Sequence, residues 1–248
     1  MSTRPLLHAA TGVLVALFAL AFGACDSPLD VETPRNRLVD RVSIPLAELI
    51  GGPVSIVFPP DTANVDTART RRFSVALVVD ASGSIPALTA QAFRDGCNAF
   101  LDSLDGEKDE GVLVYYTYTA TIAQGLTTQV PLLRAAVSSI PNDGATAMWD
   151  GIYKAMLELQ SKGSHTRKAV VLLCDSDDNS SATGTPAKII ALGQSASISV
   201  YSIALGLTNH EIVLRDIVQG TGGMHVPQPE LSRIDDICRE IAHMLRTP

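Results

Sequence analysis

The sequence predicts an α/β fold: a doubly wound, mostly parallel sheet with one antiparallel edge strand and helices on both faces. Three observations carry that expectation. Two apolar runs, Phe73 to Val79 and Ala169 to Cys174, are continuous rather than alternating, as strands buried on both faces are. Stretches with helical spacing stand between the strand-like ones, and that alternation builds a parallel sheet with right-handed crossovers. A third apolar stretch, Gly111 to Tyr118, is followed by Thr121 to Leu126, its expected antiparallel partner.

The elements follow in order. The first strand ends at Asp80. Pro86 can open a helix at its first turn, and Phe93, Cys97, Phe100 and Leu104 repeat at helical spacing, predicting a helix over 86–104. After the antiparallel pair come a short helix from Val130 to Ile140, a loop from Pro141 to Ala145, and a helix from Trp149 to Gln160 that ends near Gly163. The strand Ala169 to Cys174, a helix over 187–195, the strand Ile198 to Leu205 and a helix from His210 to Val218 continue the pattern. The turn Gly220-Thr-Gly-Gly223 follows a helix rather than opening one, so it reads as a helix stop and not a phosphate cradle. A short strand near His225 and a last helix from Leu231 to Leu245 complete the domain, 72–248.

The 71 residues before it have a different character. Arg4 precedes the uncharged stretch Ala9 to Ala24 and then Cys25. A short positive region, an apolar core too short to span a bilayer and small residues before the cleavage point read as an export signal, 1–24. The ending Phe22-Gly-Ala-Cys25 resembles a bacterial lipobox, which implies that Cys25 becomes the lipidated first residue; the plainer reading is an ordinary secretory signal with a free Cys25. Asp26, by resemblance to enteric lipoproteins, favours the inner membrane, though sorting rules differ between bacteria and leave inner or outer membrane undecided. Residues 25–40 read as a tether, and 41–71 as a hairpin around Gly51-Gly-Pro53 followed by a linker. The expected location is extracytoplasmic, at the cell envelope, with the membrane reached through the lipid anchor only.

Composition narrows the function. Of 248 residues 46% are hydrophobic, ample for a packed core, and the net charge of −7 provides no clustered basic face for a nucleic acid. Removing Arg4 with the signal leaves 18 basic against 26 acidic residues, a charge of −8.

The chemistry is concentrated where strands end. Asp80, Ser82 and Ser84 form Asp-x-Ser-x-Ser just past the first strand, where open α/β sheets bind ligands. Residues two apart in an extended segment point the same way, so one carboxylate and two hydroxyls can converge on a hard cation. Thr146, in Asp143-Gly-Ala-Thr-Ala-Met-Trp-Asp150, stands just before a helix, and Asp175 ends the second apolar run. Helix caps and strand ends also use Ser and Asp, but three such segments in this order are a more specific pattern than any one.

With these residues in view, 72–245 resembles the von Willebrand factor type A (vWA) family, whose fold is Rossmann-like and whose metal-ion-dependent adhesion site is built from such segments. The resemblance implies one Mg²⁺, or Mn²⁺ in its place and Ca²⁺ less readily, held by Asp80, Ser82, Ser84, Thr146 and Asp175. It further implies a protein partner that completes the shell with an Asp or Glu carboxylate. Two carboxylates against three neutral hydroxyls leave a divalent ion short of anionic charge, in keeping with that. One departure stands out: the family usually has Gly after the second Asp, where this chain has Ser176.

Competing readings are weaker. Asp175-Ser-Asp177-Asp178-Asn179 begins like an EF-hand loop but has Ser180 and Pro186 where Gly and Glu are required, so Asp177 and Asp178 read as a solvated acidic rim. Aspartyl-phosphate phosphatases carry Asp-x-Asp, and Ser82 replaces the second acid. Gly193-Gln-Ser195-Ala-Ser197 lacks the closing Gly of a nucleophile elbow, and no Cys or His pairs fall at zinc spacing. The expectation is therefore not an enzyme but a metal-dependent binding module, with a metal-dependent phosphatase or hydrolase and a metal-independent envelope scaffold as alternatives. Cys97 and Cys238 lie on apolar faces of the first and last helices, which pack side by side in vWA folds; a disulfide between them and a pair of core thiols are both open.

Overall fold

The run Phe73–Asp80 is a strand, β1, buried at every residue, in the computed structural model, which describes residues 71–207 and 209–247. The expected export signal, Cys25, tether, hairpin and most of the linker lie outside the described residues.

Following β1 come α1 (Ala87–Asp102), β2 (Glu110–Tyr116), β3 (Ala120–Thr127), α2 (Val130–Ser138), α3 (Met148–Lys162), β4 (Arg167–Cys174), α4 (Pro186–Ala196), β5 (Ile198–Ala204), α5 (Glu211–Thr221), β6 (His225–Pro227) and α6 (Ile234–Arg246). The six strands form one sheet in the order β3-β2-β1-β4-β5-β6. Every pairing is parallel except β2 with β3, the antiparallel edge.

Strand geometry divides the core in two. Side chains alternate across a strand, so Phe73, Val75, Leu77 and Val79 enter one apolar layer with Phe93, Phe100, Leu133, Ile234 and Ile241 of α1, α2 and α6. Ala76 and Val78 enter the other, with Trp149, Ile152, Met156, Ile189 and Leu214 of α3, α4 and α5. Each large side chain so buried contributes about 1.5–3 kcal/mol relative to exposure. Both faces being covered is the reason β1 and β4 are written without polar alternation.

The helix ends obey local chemistry. Thr185 caps α4, its side chain accepting the Lys188 N–H at 3.3 Å, and Pro186 follows at the first turn. α5 stops at Gly222, whose φ of +74° suits a residue without Cβ, in line with the helix stop read from the glycine turn. The last helix is shorter than expected at its start: Leu231–Arg233 is a 3₁₀ turn, and the α-helix begins at Ile234. Its final carbonyls would be left without partners, and Arg167 supplies them, donating to the Thr247, Leu245 and Met244 oxygens at 2.7, 3.0 and 3.2 Å.

Cys97 and Cys238 face each other across the packed helices α1 and α6. Both are fully buried free thiols, so the structure has the core pair and no bridge. Close packing here relies on Gly96, where an added Cβ would come within 2.6 Å of Ile234 and 3.1 Å of the Cys238 sulfur. Burial pushes the Cys97 thiol up to about 12.

Candidate metal centre

Three loops meet beyond the carboxyl ends of β1 and β4. Asp80, the last residue of β1, is only 2% exposed. Its Oδ1 accepts the Ser82 N–H at 3.0 Å, which curls the loop back, and the Ser82 and Ser84 hydroxyls then lie 3.3 Å apart. Burial pushes the Asp80 carboxyl above the usual range, against hydrogen bonds from Ser82, Asp175 and Ser176 that favour the charge.

The second loop is tied to the first through its backbone. Asp143 donates to the Ala81 carbonyl at 2.8 Å, and Gly83 to the Gly144 carbonyl at 3.1 Å. Gly144 has φ +87°, and a Cβ there would lie 2.7 Å from the Tyr118 ring, so only glycine fits on both counts. Two residues on, Thr146 is held by the third loop: its N–H donates to Asn179 Oδ1 at 2.9 Å, and its carbonyl accepts the N–H groups of Asn179 and Ser180.

Asp175 opens that third loop. Its carboxyl is pushed up to about 6, first by burial and then by the neighbouring Asp80 charge. Its Oδ1 is buried with no hydrogen-bond partner, and so is the hydroxyl of Tyr116, the residue in register with Asp80 on β2. A buried carboxylate oxygen left unpaired costs about 1–3 kcal/mol or more, and an oxygen-seeking cation is the ligand that relieves it. Among the described residues no three His, Cys, Asp or Glu side chains cluster as a metal site; the donors here are two carboxylates with hydroxyls. The structure thus brings Asp80, Ser82, Ser84, Thr146 and Asp175 to one place, and that donor set suits a hard divalent cation.

Ser176 occupies the middle of the arrangement. Its hydroxyl donates to Asp80 Oδ2 at 3.2 Å and lies 3.2 Å from Thr146 Oγ1. Among the described residues the non-glycine positions with positive φ are Ser197 and Gln228, so this loop accepts Ser176 without the left-handed conformation that favours glycine.

The acidic rim is corrected by the structure. Asp177 and Asp178 are half-buried and engaged with backbone. Asp177 accepts the N–H groups of Asn209 and His210 at 2.9 and 3.0 Å, ahead of α5. Asp178 accepts the Trp149 N–H at 3.1 Å in the first turn of α3, while its own N–H donates to His210 Nδ1, beside the Trp149 ring. Asp150, which sequence reasoning passed over, gathers the N–H groups of Ala182, Thr183 and Gly184. Burial pushes its carboxyl up, and those three donors outweigh it and hold it below the usual range. The one available signal was an acid in a helical first turn.

A Ser–His contact also exists away from this centre. Ser202 Oγ lies 2.7 Å from His225 Nδ1, but Ser202 is fully buried in the sheet and cannot meet a substrate. It is a core hydrogen bond.

The von Willebrand factor type A domain model matches residues 74–237, and the chain belongs to that family. Such domains are in general interaction modules that bind protein ligands. No curated protein matches the chain. Similar solved structures include a conserved hypothetical protein BatB from Bacteroides thetaiotaomicron, with 17% identity and a TM-score of 0.56 over 70% of this chain and 99% of that one. A von Willebrand factor type A protein from Catenulispora acidiphila has 21% identity and a TM-score of 0.61, over 73% of this chain and 43% of that one. Proximal thread matrix protein 1 from the mussel byssus, with a zinc-occupied MIDAS motif, has 20% identity and a TM-score of 0.60, over 71% and 46%. The chain spans nearly all of the first and under half of the other two, and at these identities the likeness is one of fold.

Proposed function

We propose that this chain is a divalent-metal-dependent protein-binding module, lipid-anchored through Cys25 on the outer side of a bacterial membrane, and not an enzyme. The observation that carries the metal reading is the unpaired, buried Oδ1 of Asp175, next to a loop cluster in which Asp80 is linked to Ser82 and Ser84 on one side and through Ser176 to Thr146 on the other. The zinc-occupied motif of the mussel thread protein, similar in fold, supports it. All-oxygen donors favour Mg²⁺ or Mn²⁺, and Ca²⁺, which takes six to eight ligands, is served less well.

A divalent cation held here supplies a Lewis-acidic centre for an incoming carboxylate. Asp80 and Asp175 are the two carboxylates at the centre, so with a divalent cation it carries no net negative charge to repel an incoming Asp or Glu, whereas a third resident acid would make it anionic. The surroundings support a protein ligand. Leu88, Tyr118 and Ile212 are 76%, 67% and 69% exposed, and all three stand on segments at the strands' carboxyl end. Apolar side chains beside a charge-seeking centre suit a protein surface better than a free anion.

The test is calorimetry with Mg²⁺ and Mn²⁺ on wild type and Asp80→Ala, followed by capture of partners from envelope extract with Mg²⁺ or with chelator. Millimolar or tighter binding by wild type, lost in the folded variant, with capture dependent on the metal, is expected. No metal binding, or a partner held equally well in chelator, overturns this reading in favour of a metal-free scaffold. For the anchor, Cys25→Ser is expected to release the protein from membranes; an unlipidated mature chain by intact mass overturns it.

A further inference from the structure

We propose that Ser176 is a direct cation ligand, its hydroxyl taking a coordination position that a water would otherwise fill. The inference rests on the metal reading above and assigns it one more donor, at the position where the family usually has a residue with no side chain.

Spacing is the first reason. With metal–oxygen bonds of about 2.0–2.1 Å, adjacent corners of an octahedron are about 3 Å apart. The Ser176 hydroxyl lies 3.2 Å from Asp80 Oδ2 and 3.2 Å from Thr146 Oγ1, so the three oxygens run along two successive edges of such a figure. The Ser82 and Ser84 hydroxyls, 3.3 Å apart, form another edge. Valence is the second. A serine hydroxyl carries one proton and two lone pairs, so Ser176 can keep donating to Asp80 while a lone pair faces the ion. Charge is the third: a neutral donor adds an oxygen without adding to the two carboxylates; with Ser176 the resident donors number six, which fills an octahedron, and a partner's carboxylate then enters by displacing a neutral hydroxyl.

The loop does not use positive φ at this position, so it does not call for glycine and accommodates a side chain.

Mn²⁺ is the probe. Calorimetry reads its affinity, and water-proton relaxation reads the number of waters on the bound ion, for wild type, Ser176→Ala, Ser176→Gly and Ser176→Thr. Ser176→Ala is expected to lose about tenfold in affinity and to gain one water on the ion, while Ser176→Thr, keeping a hydroxyl, stays near wild type. Should Ser176→Ala fail to fold by circular dichroism, Ser176→Gly carries the same comparison. Wild-type affinity and hydration in the hydroxyl-free variants overturn direct ligation and leave the metal reading standing. Wild type that binds no Mn²⁺ overturns both.

Discussion

Asp178 Oδ2 accepts the backbone N–H of Trp149 at 3.1 Å, joining the loop after β4 to the first turn of α3 across 29 residues of sequence. The same oxygen also receives the Ser181 hydroxyl. A carboxylate at a helix amino end satisfies a donor that has no partner within the helix and complements its dipole. Asp178→Ala is therefore expected to lower stability by about 1–2 kcal/mol in urea or thermal denaturation. Asn at this position keeps an acceptor and is expected to recover a good part of the loss.

Protonation of Asp175 acts in opposite directions on the fold and on the ion. Its carboxyl is raised from 3.8 to about 6. A raised value means that its contribution to metal-free stability is fully present below about 3.8 and is lost as pH rises through about 6. At pH 7.5 and without metal, Asp175→Asn is expected to be more stable than wild type by about 1 kcal/mol, after discounting for solvent screening of this half-buried group. Metal binding needs the ionised form, so wild-type affinity for Mg²⁺ is expected to fall roughly tenfold between pH 7 and pH 5. Paired denaturation and calorimetry series over that range check both signs.

The strands were the most readable part of this chain, because Phe73 to Val79 and Ala169 to Cys174 are buried on both faces and composition alone says so. Asp80, Ser82, Ser84, Thr146 and Asp175 were legible for a related reason: they stand at strand or helix ends in a recurring order. What sequence could not supply was direction within loops. Asp177 and Asp178 read as solvated because charge patterning has no access to partners 29 to 33 residues away, and those partners are backbone N–H groups that any sequence possesses. Ser176 was legible as a departure from the family, while the reach of its hydroxyl to Asp80, 96 residues distant, was not.

Gly144, beside this centre, tolerates a side chain poorly on two counts. Its φ of +87° and the Tyr118 ring beside it combine strain with a clash. Gly144→Ala is expected to cost about 1–3 kcal/mol and, by displacing the segment that carries Thr146, to weaken Mn²⁺ binding as well. Thermal denaturation and calorimetry on one preparation measure both effects. The clash with the Tyr118 ring is separable, since Tyr118→Ala in the same background removes it and leaves the backbone strain and a tight 3.2 Å contact with Thr117 Cβ.

The thiols of Cys97, Cys174 and Cys238 are expected to be silent in the native protein and reactive once it unfolds. All three are fully buried, and burial raises each above the ordinary thiol range. Titration with a thiol reagent is expected to label none of the three natively and all of them in denaturant. Peptide mapping separates them from Cys25.

β1 has one more property, which concerns force. The chain enters it at Phe73, beside the end of α6, where Arg71 donates to the Arg246 carbonyl at 3.1 Å, and it finishes at Asp80. With a ligand at Asp80 and an anchor ahead of Phe73, both as proposed, traction between them would run along this single strand. Seven residue pairs register with β2 on one side and seven with β4 on the other. Loading of that kind places the rungs in shear, and they must part together, whereas a strand peeled from its edge gives them up one by one. On the function proposed above, a ligand at the tip of this central strand would load the strand lengthwise, in shear.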